Sequence, residues 1–305
     1  GFLEEFMNPS PPMPEYIIDN SLVSSKAAEA DIALITIGRN AGEGVDRKVA
    51  NDFDLTETEQ NLINSVSNAF HAKNKKVVVV LNIGGVTEVA SWRYKVDAIL
   101  LAWQPGLEAG NAVADILKGN VNPSGKLTST FPVKYTDVPS ANSFPGKNLS
   151  AEQVKGMGGF PMGYESEVTY EDGIFVGYRY YNTFNVKPAY EFGYGLSYTN
   201  FAYSNLKIKS SDSKGNITAT VEITNTGKTA GKEVAQLYIS APAAKMDKPQ
   251  EELKGFAKTN LLQPGQKQTI QFVIAAKDLA SFDTNSTSWI AEAGKYALKV
   301  GASST

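Results

Sequence analysis

Cysteine is absent from the 305-residue chain, and histidine occurs only once. The absence of cysteine excludes disulfides, thiolate nucleophiles and cysteine-based zinc sites. A single imidazole excludes a multi-histidine metal site, and we expect neither a metal nor an organic cofactor. His71 follows a helical pattern, where a cationic side chain suits the helix dipole, so we interpret it as a surface residue rather than a catalytic one.

Strong charge and long apolar runs are also missing. The chain has 29 Lys and Arg against 32 Asp and Glu, for a formal net charge of -3, which argues against a nucleic-acid or membrane-surface partner. No apolar run approaches the roughly 20 residues that a membrane span needs. The hydrophobic content of 42% is sufficient for sizeable cores, and the length favours two domains.

The first third of the chain alternates between helical and strand patterns. Apolar runs predict strands at 31–37, 76–81 and 97–102, and helical periods fill the segments between and after them. Thr56 and Glu59 have the spacing of a capping box at the start of one helix. This rhythm predicts a layered α/β/α sandwich with a mainly parallel sheet over residues 1–135, whose first strand or two we expect to be missing.

The rest of the chain changes character twice. Residues 136–200 are rich in Gly, Pro and Tyr and predict an irregular connecting segment, with an exposed loop at 156–163 and aromatics that pack rather than stack on sugars. Residues 201–305 contain short alternating strands and turn signals, which predict an all-β sandwich of the immunoglobulin or fibronectin III type. We expect Trp289 to lie in its core.

A glycine-rich loop at residues 38–47 follows the first predicted strand, where α/β proteins place their chemistry. Glu43 lies between Gly42 and Gly44, so a pliable backbone carries a carboxylate. The loop lacks the Gly-x-Gly-x-x-Gly spacing, which disfavours dinucleotide binding. From the residues alone, three roles are equally compatible with Glu43: a general acid, a cation ligand or a solvated charge.

Several stretches together resemble glycoside hydrolase family 3, which includes β-glucosidases and β-xylosidases. The loop at 38–47 resembles the acid/base loop of that family, and the other stretches follow in the family's order. They are Trp103-Gln104-Pro105-Gly106 through Leu117, Asn122-Pro123-Ser124-Gly125-Lys126-Leu127, 170–181, Phe192-Gly193-Tyr194-Gly195-Leu196-Ser197-Tyr198-Thr199 and Glu252-Leu253-Lys254-Gly255-Phe256.

The resemblance implies a retaining β-glycosidase that removes terminal β-linked sugars from oligosaccharides or glucosides. It makes Glu43 the catalytic general acid/base, whereas the nucleophile would be an aspartate in an N-terminal barrel domain. No Ser-Asp-Trp-like nucleophile motif occurs in this sequence, so we expect the chain to be a C-terminal portion that is inactive alone. The resemblance also favours a periplasmic or secreted bacterial enzyme, although a cytoplasmic location stays open.

Two questions remain open at this point. Asp46 and Arg47 either contact substrate or form a loop-ordering ion pair, and we favour the ion pair because such local pairs are common. The main alternative to a glycosidase portion is a non-catalytic carbohydrate-binding or interaction module. A phosphate-binding, flavodoxin-like protein is a more distant third.

Overall fold

A computed structural model describes residues 13, 15–40, 42, 46–159, 161–209, 212 and 215–305. The chain divides into two compact units. The first contains the described residues up to Ala114, with Phe131–Asp137 and Phe144–Glu167. The second contains Asp115–Thr130, Val138–Ser143 and the described part of Val168–Thr305.

The first unit is built on a parallel sheet. Its strands are β1 (Ile32–Arg39), β2 (Lys76–Ile83) and β3 (Ala98–Leu101), in the order β1-β2-β3. The central strand β2 is buried from Val77 to Leu81, which explains its continuous apolar run. The predicted parallel α/β class is therefore confirmed.

Among the described residues, helix α1 (Asn20–Glu29) precedes β1 in the sequence, α2 (Glu57–His71) lies between β1 and β2, and α3 (Ala109–Leu117) follows β3. Helix α2 begins with the predicted capping box. The Thr56 hydroxyl accepts from the Glu59 backbone N–H at 3.1 Å, and the Glu59 carboxylate accepts from the Thr56 backbone N–H at 2.8 Å. The buried face of α2 carries Ile63, Val66 and Phe70 at helical spacing.

Asp97 ties the start of β2 to the end of α2. Its carboxylate accepts hydrogen bonds from Lys76 Nζ at 2.7 Å and from the Val77 backbone N–H at 2.9 Å, and it lies 2.9 Å from His71 Nε2. The Lys76 hydrogen bond, aided by the Val77 and His71 contacts, outweighs burial and holds the pKa of Asp97 well below its ordinary value of 3.8.

Because the folded pKa of Asp97 is depressed, its stabilising contribution is present above pH 3.8 and is lost as the pH falls further toward the folded pKa. We therefore expect Asp97→Asn to lower the unfolding free energy by about 1–2 kcal/mol at pH 7 and by less at pH 2.5. Urea unfolding monitored by the fluorescence of buried Trp92 measures this difference. Asp31→Asn, at an exposed position before β1, is the control; an equal loss at both pH values would contradict the prediction.

A two-stranded hairpin follows in the first unit, within the segment that we expected to be irregular. Antiparallel strands β4 (Lys147–Lys155) and β5 (Pro161–Glu167) flank the glycine-rich stretch that we expected to be a loop. The described side chains of both strands are exposed. Because no apolar face is buried, the sequence has no period-two signal there, so the expectation of irregular structure was wrong for this part.

The described residues of the second unit form eight strands: β6 (Phe201–Lys209), β7 (Ile217–Asn225), β8 (Val234–Ser240), β9 (Glu252–Lys258), β10 (Lys267–Ile274), β11 (Ser281–Asp283), β12 (Ser288–Ile290) and β13 (Ala297–Gly301). Two antiparallel sheets have the orders β10-β7-β6 and β13-β8-β9. Their inward residues form one apolar cluster around Ile223, Leu237 and Phe272. The predicted β-sandwich is confirmed.

The prediction for Trp289 was wrong. Strands β11 and β12 form a small hairpin of their own, and Trp289 on β12 is 71% exposed. Its ring makes an edge-to-face contact with Phe282, with ring centroids 5.6 Å apart. Alternating polar and apolar residues show that the two faces of a strand differ in polarity. They do not show whether the strand belongs to a short hairpin, in which both faces can lie outside the core.

The aromatic residues before the sandwich pack mainly within the second unit. Tyr178, the first residue of helix α4 (Tyr178–Thr183), stacks on Phe192 at 4.9 Å and contacts Tyr238 edge-to-face. Tyr178 and Tyr181 are buried, whereas Tyr170 is exposed. For the buried Tyr178 and Tyr181, the structure confirms the prediction that these aromatic side chains pack within the protein rather than stack on sugars.

A buried ion pair within the second unit involves the lysine of the Asn122–Leu127 motif. Lys126 Nζ lies 3.1 Å from Glu233 Oε1 and donates to the Gly195 carbonyl at 2.9 Å. Tyr203 donates to the same Glu233 oxygen at 3.0 Å. Burial, and then the Glu233 charge, raise the pKa of Tyr203, so its hydroxyl stays protonated and keeps donating.

Candidate active-site loop

The carboxyl ends of β1, β2 and β3 lie along one edge of the parallel sheet, where α/β proteins bind ligands. The loop that we expected to carry the chemistry leaves this edge after β1. Glu43 lies outside the described residues. Of the other two predicted site residues, Asp46 is exposed and Arg47 is half-buried.

Arg47 joins the loop after β1 to the loop after β2. Its Nε donates to Asp52 Oδ1 at 2.8 Å, and its Nη1 donates to the Val86 carbonyl at 2.9 Å. A Cβ on Gly85 would lie 2.7 Å from Arg47 Nη1, so this glycine leaves room for the guanidinium. Within the described part of the chain the ionic partner of Arg47 is Asp52, not Asp46 as we expected.

Arg39, the last residue of β1, makes a second set of contacts beside the loop. Its two terminal nitrogens donate to the two Glu59 oxygens, each at 2.6 Å, which is the bidentate geometry that favours arginine. Its Nε donates to the Asp52 carbonyl at 2.8 Å. Burial acts to raise the pKa of Glu59, but hydrogen bonds from Arg39 and Thr56 outweigh it and hold the pKa below its ordinary value.

Asp52 occupies a tight turn over Val49–Phe53. The turn contains Asn51 in the left-handed region, with φ of 63°, and closes through a 2.8 Å hydrogen bond from the Asp54 N–H to the Val49 carbonyl. The Asp52 carboxylate also accepts from the Lys48 backbone N–H at 3.2 Å. The local backbone therefore fixes where the Asp52 side chain is presented.

Trp103 lies just beyond the carboxyl end of β3. Its φ of 53° is a genuine outlier for a bulky residue, and such strain persists where the surroundings determine the conformation. Its ring contacts Phe131 with centroids 6.2 Å apart. The strained residue Trp103 therefore lies at the same edge of the sheet as Arg39, the last residue of β1.

Among the described residues, no group of three or more acidic or histidine side chains is placed to hold a metal ion. In the same residues, no helix combines the length and apolarity needed to cross a bilayer.

Reasoning from the sequence placed Arg39 within the loop but did not predict its contacts with Asp52 and Glu59. The capping box already placed Glu59 at the start of α2, and Arg39 ends an apolar strand, so two signals were available. No pattern marks Asp52, because its role depends on a turn. That turn places the Asp52 backbone carbonyl within reach of Arg39 and its carboxylate within reach of Arg47.

Two family models match the chain: the C-terminal domain of glycosyl hydrolase family 3 over residues 18–198, and a fibronectin type III-like domain over residues 233–304. The first covers more than half of the chain. The chain belongs to glycoside hydrolase family 3. The predicted resemblance is therefore confirmed.

Two similar relatives are β-glucosidases. The chain is 37% identical to β-glucosidase A of Butyrivibrio fibrisolvens, over 95% of this chain and 38% of the relative. It is 36% identical to thermostable β-glucosidase B of Acetivibrio thermocellus, over 94% of this chain and 36% of the relative.

The structure of β-glucosidase 3B from Thermotoga neapolitana in complex with α-D-glucose is similar to the chain, with a TM-score of 0.87 and 46% identity. That match covers 99% of this chain and 41% of the solved one. The family 3 chain thus spans roughly two-fifths of the length of these relatives, and it matches their C-terminal family domain.

Proposed function

We propose that the chain is the C-terminal portion of a retaining, exo-acting β-glucosidase that removes terminal β-linked glucose. The observation that carries this proposal is the match to β-glucosidases along nearly the whole chain, including the glycine-rich loop after β1. The rest of the active site would come from an N-terminal barrel domain of the same enzyme, since the relatives are much longer than this chain.

In this mechanism Glu43 first acts as a general acid and protonates the glycosidic oxygen as the bond to the leaving group breaks. An aspartate of the barrel attacks the anomeric carbon and forms a covalent glucosyl-enzyme. Glu43, now a carboxylate, then removes a proton from the water that hydrolyses this intermediate. Two inversions at the anomeric carbon give net retention of the β configuration.

Asp46 and Arg47 have separate roles in this proposal. Arg47 orders the loop through its contacts with Asp52 and Val86. Asp46 is exposed beside the loop, so it is free to contact substrate or to raise the pKa of Glu43 by like charge, as a general acid requires.

Assays with and without a barrel domain test the proposal. The chain alone should not hydrolyse an aryl β-glucoside, because proton donation without a nucleophile omits the covalent step. Joining it to the barrel domain of its enzyme should produce turnover that the barrel alone lacks. Turnover by the isolated chain, or equal turnover with and without it, would refute the proposed division of roles.

A non-catalytic carbohydrate-binding module is the second candidate, and the exposed Trp289 and Phe282 rings favour it because aromatic faces stack on sugars. Titration calorimetry of the isolated chain with β-linked glucose oligosaccharides separates the two functions. Tight binding that Trp289→Ala abolishes would favour the module. Absence of binding would favour the glycosidase portion.

We also propose that the complete enzyme is exported to the periplasm or the medium of a bacterium. This proposal rests on the family resemblance alone. Fractionation of the source cells, with β-glucosidase activity as the readout, tests it; activity confined to the cytoplasm would contradict it.

A further inference from the structure

We infer that Asp52 is a positioning residue for the reaction, because it holds the two ends of the acid/base loop together. Asp52, Arg39, Arg47 and Glu59 form what we call the Asp52 clasp. The inference rests on the proposed function, in which Glu43 transfers the proton. It adds a residue that neither the loop motif nor the capping box identifies.

Both ends of the acid/base loop reach Asp52. Arg39 immediately precedes the seven residues 40–46, and Arg47 immediately follows them. Arg39 Nε donates to the Asp52 carbonyl at 2.8 Å, and Arg47 Nη2 lies 2.7 Å from Asp52 Oδ1 and 3.3 Å from the same carbonyl. One residue therefore receives both ends of the segment that carries Glu43.

The contacts of the clasp are partly shielded from solvent. The side chains of Arg39, Arg47, Asp52 and Glu59 are 11%, 20%, 27% and 7% exposed, so solvent screens them less than surface ion pairs. Two guanidinium groups face two carboxylates, which leaves no uncompensated charge in the clasp. The removal of one carboxylate would leave a poorly solvated cation.

The clasp is anchored at the start of α2 and in the loop after β2. Glu59 receives both terminal nitrogens of Arg39 while it caps α2, and Arg47 reaches the Val86 carbonyl after β2. The loop ends are thus tied to the start of a helix and to the loop after β2. Catalytic groups held in this way keep the sub-ångström placement that proton transfer requires.

The reaction supplies a readout that a purely structural role would not produce. If Glu43 is misplaced, glycosidic bond cleavage slows most for substrates whose leaving-group oxygen is strongly basic, because that oxygen must receive a proton from Glu43 as the bond breaks. Phenyl β-glucoside has such a leaving group, whereas 2,4-dinitrophenolate leaves without protonation. Both substrates contain the same sugar. The kcat/KM for phenyl β-glucoside divided by that for 2,4-dinitrophenyl β-glucoside therefore reports on acid catalysis, and it falls when the acid is misplaced.

The experiment uses the complete enzyme with the barrel domain. We expect Asp52→Asn to lower kcat/KM for phenyl β-glucoside by about 10–100-fold and that for 2,4-dinitrophenyl β-glucoside by less than about 3-fold. Gly85→Ala, which crowds Arg47 Nη1 without changing any charge, should shift the ratio in the same direction by a smaller factor. Asp31→Asn, at the other end of β1, should leave the ratio unchanged.

Glu43→Gln, measured in parallel, distinguishes failure of the clasp inference from failure of the proposed function. Suppose that Glu43→Gln lowers the kcat/KM ratio of phenyl to 2,4-dinitrophenyl β-glucoside but Asp52→Asn leaves this ratio unchanged, whether or not it lowers both kcat/KM values equally. The clasp inference is then overturned and the proposed function stands. If Glu43→Gln itself leaves the ratio unchanged, the proposed function fails. Should Asp52→Asn not fold, as circular dichroism would show, Gly85→Ala decides the outcome, and an unchanged ratio in it overturns the inference.

Discussion

Replacing Glu43 with glutamine should lower kcat/KM for phenyl β-glucoside by about 10²–10⁴-fold in the complete enzyme. Glutamine is nearly isosteric with glutamate but can neither protonate the leaving oxygen nor accept the proton of the attacking water. The loss should shrink to a few-fold in kcat/KM for 2,4-dinitrophenyl β-glucoside, because its leaving group departs without a proton. Steady-state kinetics on both substrates measure the effect.

The matched control for Glu43→Gln is Asp31→Asn, which also neutralises one carboxylate but lies before β1 at the far end of the strand. Its kinetic constants should equal those of the unmodified enzyme on both substrates. Full activity of Glu43→Gln on phenyl β-glucoside would remove Glu43 from the mechanism, since no folding defect can explain a retained rate.

Lys126→Met should be the most destabilising of the substitutions considered, with a loss of about 3–5 kcal/mol in the unfolding free energy of the second unit. The Lys126 and Glu233 side chains are 13% and 6% exposed, so solvent cannot replace the missing cation. Methionine fills similar space but leaves Glu233 buried with the Tyr203 hydroxyl as its remaining donor. Urea unfolding monitored by circular dichroism measures the loss.

Lys267→Met is the matched control, because Lys267 pairs with Glu222 at 2.9 Å in the same unit but is 58% exposed. That pair should contribute far less than the Lys126 pair, because solvent screens it. The double variant Lys126→Met/Glu233→Gln should recover much of the stability, since it removes the stranded charge. Equal losses for Lys126→Met and Lys267→Met would contradict the buried-pair account.

The fold could be predicted where the sequence carries a strong period. The apolar runs of β1, β2 and β3 and the capping box of α2 are local signals, and the structure confirms all four. Short exposed elements carry no such signal. The hairpin β4-β5 buries no face, and the β11-β12 hairpin exposes Trp289, so the same reasoning was wrong for both.

The candidate site could be predicted only in part, for a related reason. The loop motif marks Glu43, Asp46 and Arg47 because they are neighbours in sequence. The ionic partner of Arg47 depends on the turn at Asn51, whose left-handed backbone presents Asp52. The sequence therefore suggested the nearest carboxylate, Asp46, whereas turn geometry selects a more distant one.

The most direct measurement of the central claim uses azide and a Glu43→Ala variant of the complete enzyme. Azide attacks the glucosyl-enzyme without needing a general base, so it should restore kcat on 2,4-dinitrophenyl β-glucoside and yield β-glucosyl azide. That product would show that Glu43 is the acid/base of a retaining reaction. Glucose as the sole product, with kcat independent of azide, would contradict the account.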